Sequence, residues 1–198
     1  AVGTDIGIAT ITQSGGTTFS ANVATGTSVV LTDTTGTIAF SGDLTTPTLT
    51  TAGQGYSVSL TGASNAITNA VTFSNTGSVT LGDGTSDVTN FAGGLTATAP
   101  SGISAQGTVK ADGGSGVLTL GDSDTGVTVA ADLTVGGTST GTISLGDATL
   151  ADGATLTVGA GAANQIDLDA ITGTAGSTAS NLTINSTGVV TVAEALGT

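Results

Sequence analysis

The chain has no cysteine, histidine, methionine or tryptophan, and its only basic residue is Lys110. These absences remove most enzyme chemistry. No Ser–His–Asp or Cys–His constellation, Cys/His zinc site, disulfide framework or arginine clamp for phosphate can be assembled. Fourteen acids against one base give a net charge of −13, with a pI near 4.1. Nucleic acid and anionic lipid reward basic patches, so neither is an expected partner. No run approaches the roughly 18 apolar residues of a membrane helix, so membrane insertion is not expected either. No basic start followed by an apolar core marks a signal peptide. A chain that starts at Ala1 and lacks methionine reads as a processed mature protein or a segment of something longer.

High acidity with 33 glycines could suggest disorder, but mean hydropathy is positive and only 8% of residues are charged. Disordered chains are usually poor in the β-branched residues that recur here. Val58-Ser-Leu60, Val79-Thr-Leu81, Leu118-Thr-Leu120, Ile143-Ser-Leu145 and Leu156-Thr-Val158 each put two aliphatics on one strand face and a small polar residue on the other. Gly-Asp, Asp-Gly and Asn-Thr-Gly steps between them supply tight corners. The fold class is therefore all-β, with many short strands.

Self-similarity selects the kind of all-β fold. Leu31-Thr-Asp33, Ile38-Ala-Phe40 and Asp43-Leu-Thr45 overlay without a gap on Leu120-Gly-Asp122, Val127-Thr-Val129 and Asp132-Leu-Thr134. Further copies start at Leu81-Gly-Asp83 and Leu145-Gly-Asp147, with a weaker one at Leu60. Leucines 31, 60, 81, 120 and 145 mark an irregular repeat of about 20–30 residues, with room for an extra coil between Leu81 and Leu120. Units of this size predict a β-solenoid (β-helix), a single repeat domain over residues 1–198 whose stacked rungs bury continuous aliphatic ladders. An aromatic content of 3% suits a narrow interior. Tandem β-sandwich domains of ~100 residues each are the alternative.

Tyr56-Ser-Val-Ser-Leu60, Val71-Thr-Phe-Ser-Asn-Thr-Gly-Ser-Val-Thr-Leu-Gly-Asp83 and Gly94-Leu-Thr-Ala-Thr-Ala-Pro100 resemble the β-strand-repeat segments of giant bacterial surface proteins. That loose group takes in large adhesins, haemagglutinin-type exoproteins and S-layer-like proteins. The resemblance implies an extracellular, cell-surface location and a structural or adhesive role, with no catalytic residues to carry over. A cell-surface glycan or host-surface ligand is a compatible partner.

Four kinds of candidate site stand out. Asp122/Asp124 and Asp167/Asp169 are the closest acid pairs, the arrangement a polysaccharide-active β-helix enzyme would need, but no cleft or aromatic sugar platform accompanies them. The expectation is therefore no catalytic residue and no enzyme. Asp83, Asp87, Asp122, Asp124 and Asp147 lie at the repeated Gly-Asp corners, where carboxylates and carbonyls suit calcium, and Gly121-Asp-Ser-Asp-Thr-Gly126 has the shape of a truncated calcium loop. Aspartate at such a corner also has a sufficient reason to be there as a turn former. Thr10/Thr12, Thr48/Thr50, Thr96/Thr98 and Thr155/Thr157 form pairs of the ice-binding kind, yet their spacing does not suggest a common register. Lys110 reads as a solvated charge, and Phe19, Phe40, Phe73 and Phe91 as core. Finally, residues 1–12 and Val189–Val192 read as strands, so neither end offers a cap. That predicts a homopolymer joined through the solenoid ends, or else a mid-segment of a large secreted adhesin.

Overall fold

A computed structural model describes residues 6–32 and 34–197. The described chain contains no helix and winds as a β-solenoid of about eight turns, each crossing three faces. The first face carries β1 (Ile8–Ile11), β4 (Ser28–Leu31), β7 (Thr48–Thr51), β10 (Val71–Thr72), β13 (Gly94–Ala97), β15 (Val117–Leu120), β17 (Ile143–Leu145), β20 (Ile166–Leu168) and β23 (Val190–Val192). The second carries β2 (Thr17–Phe19), β5 (Thr37–Phe40), β8 (Ser57–Leu60), β11 (Val79–Leu81), the first part of β14 (Ile103–Lys110) and of β16 (Val127–Gly136), β18 (Ala148–Leu150) and β21 (Ile171–Gly173). The third carries β3 (Val23–Ala24), β6 (Leu44–Thr46), β9 (Ser64–Ile67), β12 (Val88–Phe91), the later parts of β14 and β16, β19 (Thr155–Val158) and β22 (Asn181–Ile184).

All pairings are parallel. The length of a turn drifts, from Ile8 opposite Ser28 near one end to Val158 opposite Ile184 near the other. The faces differ in continuity. β14 and β16 run through the corner between the second and third faces, which merges those faces into one fourteen-stranded sheet. The price of that continuity is a register break between Ala105 and Gly107. Gly107 sits there at φ +79, where a Cβ would come within 2.4 Å of the Asp87 carbonyl oxygen. Only glycine fits both the left-handed backbone and the contact.

The alternation read from the sequence is the burial pattern observed. β8, β11 and β19 each bury two aliphatics and turn Ser or Thr outward. Stacked in register, the inward residues form columns, such as Ile38, Val58, Val79, Ile103, Val127, Ala148 and Ile171 on the second face. All of these are at most 4% exposed. One turn alone could not bury them; the neighbours above and below do so. Phe40, Phe73 and Phe91 are wholly buried, with Phe73 and Phe91 edge to face at 6.2 Å. Phe19 is only half-buried, because it lies in the first turn and has a neighbour, Phe40, on one side only, stacked at 4.9 Å.

The overlay of Leu31–Thr45 on Leu120–Thr134 is structural, since both segments run from first face to second to third. The copies beginning at Leu60 and Leu81 are instead displaced by one face, because both leucines lie on the second. The long gap from Leu81 to Leu120 is therefore one turn and two-thirds of the next, and needs no extra coil.

Candidate functional site

Three surfaces could carry function: the corners, where the acids lie; the flat outward faces; and the two ends.

At the corners the carboxylates hold backbone. Asp122 Oδ1 accepts the N–H groups of Asp124 (2.9 Å) and Thr125 (2.8 Å), an Asx-turn. Asp87 Oδ2 reaches back to the N–H groups of Asp83 (2.9 Å) and Gly84 (2.7 Å). Asp147 Oδ1 accepts the Ala170 N–H of the next turn at 3.2 Å. The five aspartates expected as metal ligands fall into two separate places: Asp83 and Asp87 at the corner between the second and third faces, and Asp122, Asp124 and Asp147 at the corner between the first and second. Among the described residues no group of three or more acids has an arrangement able to hold a metal ion. A cation at either corner would therefore rely mainly on carbonyl oxygens. Asp33, which begins the corresponding corner in the first overlay segment, lies outside the described residues, as do residues 1–5 of the N-terminal strand reading.

The second acid pair is also occupied locally. Asp167 points outward from the first face and accepts the Gln165 amide (2.9 and 3.1 Å), while Asp169 follows at the corner. Lys110 is not a free charge: its Nζ lies 2.5 Å from Asp112 Oδ2. That hydrogen bond, with the Thr138 N–H donating to the same carboxylate, holds Asp112 below the usual carboxylate range.

The threonine pairs are more ordered than their spacing suggested. Thr10/Thr12, Thr48/Thr50 and Thr96/Thr98 all lie on or at the end of first-face strands, and Thr155/Thr157 lies on the third. Thr10 and Thr50 share one outward column, but Val30 stands between them, and Thr96 belongs to a stretch that continues through Thr119 and Ser144 to Asp167. The face is hydroxyl-rich without a doubled row of threonines.

A further set of residues escaped sequence reading: polar side chains buried inside the corners. Asn75, Thr125, Ser139 and Asn164 are at most 3% exposed. Asn164 Nδ2 donates to the carbonyls of Ser139 (2.9 Å) and Gly141 (2.7 Å), one turn back. Ser139 Oγ donates to Gly116 O (2.7 Å) and accepts the Gly141 N–H. Ser186 Oγ repeats this against Asn164 O (2.6 Å) and Gly188 N–H. A chain that turns a corner leaves carbonyls pointing inward, and buried acceptors need donors. The signal in the sequence was the recurring Asn/Ser-Thr-Gly step at 75–77, 139–141 and 186–188. Its glycine is the place where turns touch, since a Cβ on Gly77 would lie 2.3 Å from Tyr56 O.

The ends differ from everything between them. Val190, Val192, Ile184 and Leu196 continue the columns of Ile166, Leu168, Val158 and Ile171. Those four partners are at most 4% exposed, whereas the last-turn residues are 38–48% exposed. A cavity of about 500 Å³ opens between β21, β22 and Leu196, floored by Leu150 and Ile171 and rimmed by residues 174–180. Charge is concentrated in mid-rod: ten of the fourteen acids fall within 83–169, and Glu194 is the charged side chain of the last turn.

Comparison with protein-family models, with curated proteins and with solved structures finds no match to this chain. Function therefore rests on this geometry.

Proposed function

We propose that this chain is a non-enzymatic structural module of the cell exterior that stacks end to end into a surface filament or lattice. The observation that carries the reading is the uncovered last turn. Its inward columns are apolar and open, and its strands keep one hydrogen-bonding edge unpaired within the described chain. Exposed in-register edges with apolar side chains beside them are templates for another strand. A second copy added head to tail keeps every strand parallel and covers the columns. Because two different ends meet, the contact is heterologous and propagates as a filament. The concentration of acids in mid-rod, ten of the fourteen within 83–169, is compatible with the same reading: it keeps the sides soluble and mutually repulsive and leaves the last turn with Glu194 as its charged side chain. An extracellular setting is supported by the resemblance to bacterial surface repeats and by a composition rich in threonine and glycine, acidic and nearly free of lysine.

Negative-stain electron microscopy of the isolated chain across a concentration series tests the proposal. A single turn rises ~4.8 Å, so one copy is a rod about 40 Å long. Particles whose lengths are multiples of that value support stacking. Rods of one length at every concentration refute it, and favour the mid-segment of a large secreted adhesin, whose neighbouring repeats would cover the same ends.

A further inference from the structure

We infer that the third face of the rod carries a binding groove for an extended, uncharged polysaccharide chain. This goes beyond the structural reading above and does not depend on it.

The groove begins at an irregularity of the coil. On the other turns a loop or tight turn makes the corner between the second and third faces, but β14 and β16 run straight through it. Residues 82–87 form that corner on the turn before, and residues 151–154 on the turn after. Two straight strands therefore lie between two loops, three turns or ~14 Å apart along the axis. A cavity of about 230 Å³ occupies this saddle, lined by Ala130 and Ala131 of β16 and by Thr85 and Asp152 of the loops. It shares Thr85 and Asp132 with a second cavity, of about 270 Å³, on the third face. That one shares Thr108 and Thr134 with a third, of about 450 Å³, which reaches Lys110, Asp112 and Gly137. The three form one furrow along the strand direction, from Ala130 to Gly137, roughly 20 Å long at ~3.3 Å per residue.

Its chemistry is that of hydroxyls. Thr108, Thr134 and Thr157 stand in register as an outward column across the middle of the furrow. They are half-buried, and among the described residues their hydroxyls make no hydrogen bond to the protein. Elsewhere threonine hydroxyls do pair across turns, as Thr12 does with Thr32 and Thr25 with Thr46. Each free hydroxyl donates one hydrogen bond and accepts two, the same complement as a sugar hydroxyl.

Charge and topology select against other occupants. A polyanion is repelled by a net charge of −13, and the single base, Lys110, is already paired with Asp112. A polycation finds the carboxylates engaged: Asp132 accepts the Thr155 N–H at 2.8 Å, and Asp152 the N–H groups of Ser177 and Thr178 at 3.1 and 2.8 Å. An extended peptide finds no strand edge, because β14, β16 and β19 are each paired on both sides. An uncharged, hydroxylated chain needs none of these. Lys110 keeps two ammonium protons for its oxygens at the far end, where Gly136, its register partner, has no side chain to fill the space. No aromatic ring lines any of the three cavities, so recognition is by hydrogen bonds accumulated along the chain.

Titrating the isotope-labelled full chain with neutral hexasaccharides of glucose, mannose and N-acetylglucosamine tests this by amide chemical shifts. At least one is expected to bind with a Kd of ~1 mM or tighter, shifting β14, β16 and β19 and weakening as the oligosaccharide is shortened. Thr108→Val with Thr134→Val keeps the branched shape and removes two hydroxyls, and should weaken binding by about tenfold. Thr80→Val with Thr128→Val, outward on the second face, should leave it unchanged. Melting temperature reports whether each variant is folded, and the shift map of the native chain stands without them. No shift with any of the three sugars at about 10 mM overturns the groove, as do shifts confined to another face. Tighter binding of hexalysine or hexagalacturonate overturns the uncharged class of ligand. None of these results bears on whether the chain stacks.

Discussion

Asn164→Asp changes one atom and reverses what the corner offers. In the native chain the amide nitrogen satisfies two carbonyls of the preceding turn, at 2.7 and 2.9 Å, while its Oδ1 has no hydrogen-bond partner. All of the side chain's polar value therefore lies in donation, and a carboxylate donates nothing. Two net hydrogen bonds of ~1 kcal/mol each are lost, and two buried carbonyls then face a negative oxygen instead of a donor. Together these cost about 4 kcal/mol, within the range for breaking a buried polar network.

The sign of the pH dependence follows. Burial disfavours the charged form, so in the folded variant the introduced carboxyl has a pKa above its unfolded value of ~3.9. The penalty is full above that raised value. It shrinks as pH falls toward ~3.9, where the carboxyl regains its proton and one donor. Because turns of a solenoid interact mainly with their neighbours, the damage should be local. Amide exchange in β17, β20 and β23 should accelerate while β5, β8 and β11 keep their protection. The reasoning is refuted if urea unfolding puts the variant within ~0.5 kcal/mol of the native chain at about pH 7, or if the difference between the two is the same at about pH 4.

Three other outcomes are expected. Gly77→Ala, whose methyl would meet Tyr56 O at 2.3 Å, should destabilise by roughly 3 kcal/mol, whereas Gly102→Ala, with its nearest atom at 3.7 Å, should be close to neutral in the same denaturation assay. Asp112→Asn should cost under about 1 kcal/mol near neutral pH, since the Lys110 pair is partly exposed; because the native carboxyl is held below its unfolded pKa, the contribution persists above about pH 4 and disappears as pH falls through the lowered value. Asp122→Asn should preserve the Asx-turn and the melting temperature and Asp122→Ala should cost about 1 kcal/mol, while a fall in melting temperature or particle length on chelation in the native chain, lost in Asp122→Asn, would instead assign a calcium ion to that corner.

The sequence alone determined that this chain is all-β with many short strands and pointed to a solenoid over tandem sandwiches; the parallel pairing of successive turns decided between the two. Val-x-Leu and Ile-x-Leu triplets separated by glycine corners state both the two-residue period of a strand and the short length of each face, and both are local properties of the chain. The number of faces, and which face a triplet belongs to, are not local. Leu31 and Leu81 begin segments of the same Leu-x-Asp pattern yet lie on different faces, because a strand–corner–strand unit of this kind fits more than one corner of a three-sided coil. Scattered threonine pairs reached the same face for the related reason that turn length drifts, so sequence distance does not measure axial distance. Asp122 and Asn164 show the same division in chemical terms. An aspartate beside glycine advertises its turn, because its hydrogen bonds run to residues two and three positions on. Asn164 serves carbonyls 23 and 25 residues away, and only stacking brings those within reach. The open last turn follows the same rule: Val190 and Val192 alternate like any buried strand, and only the absence of a covering turn in the described chain makes them a surface.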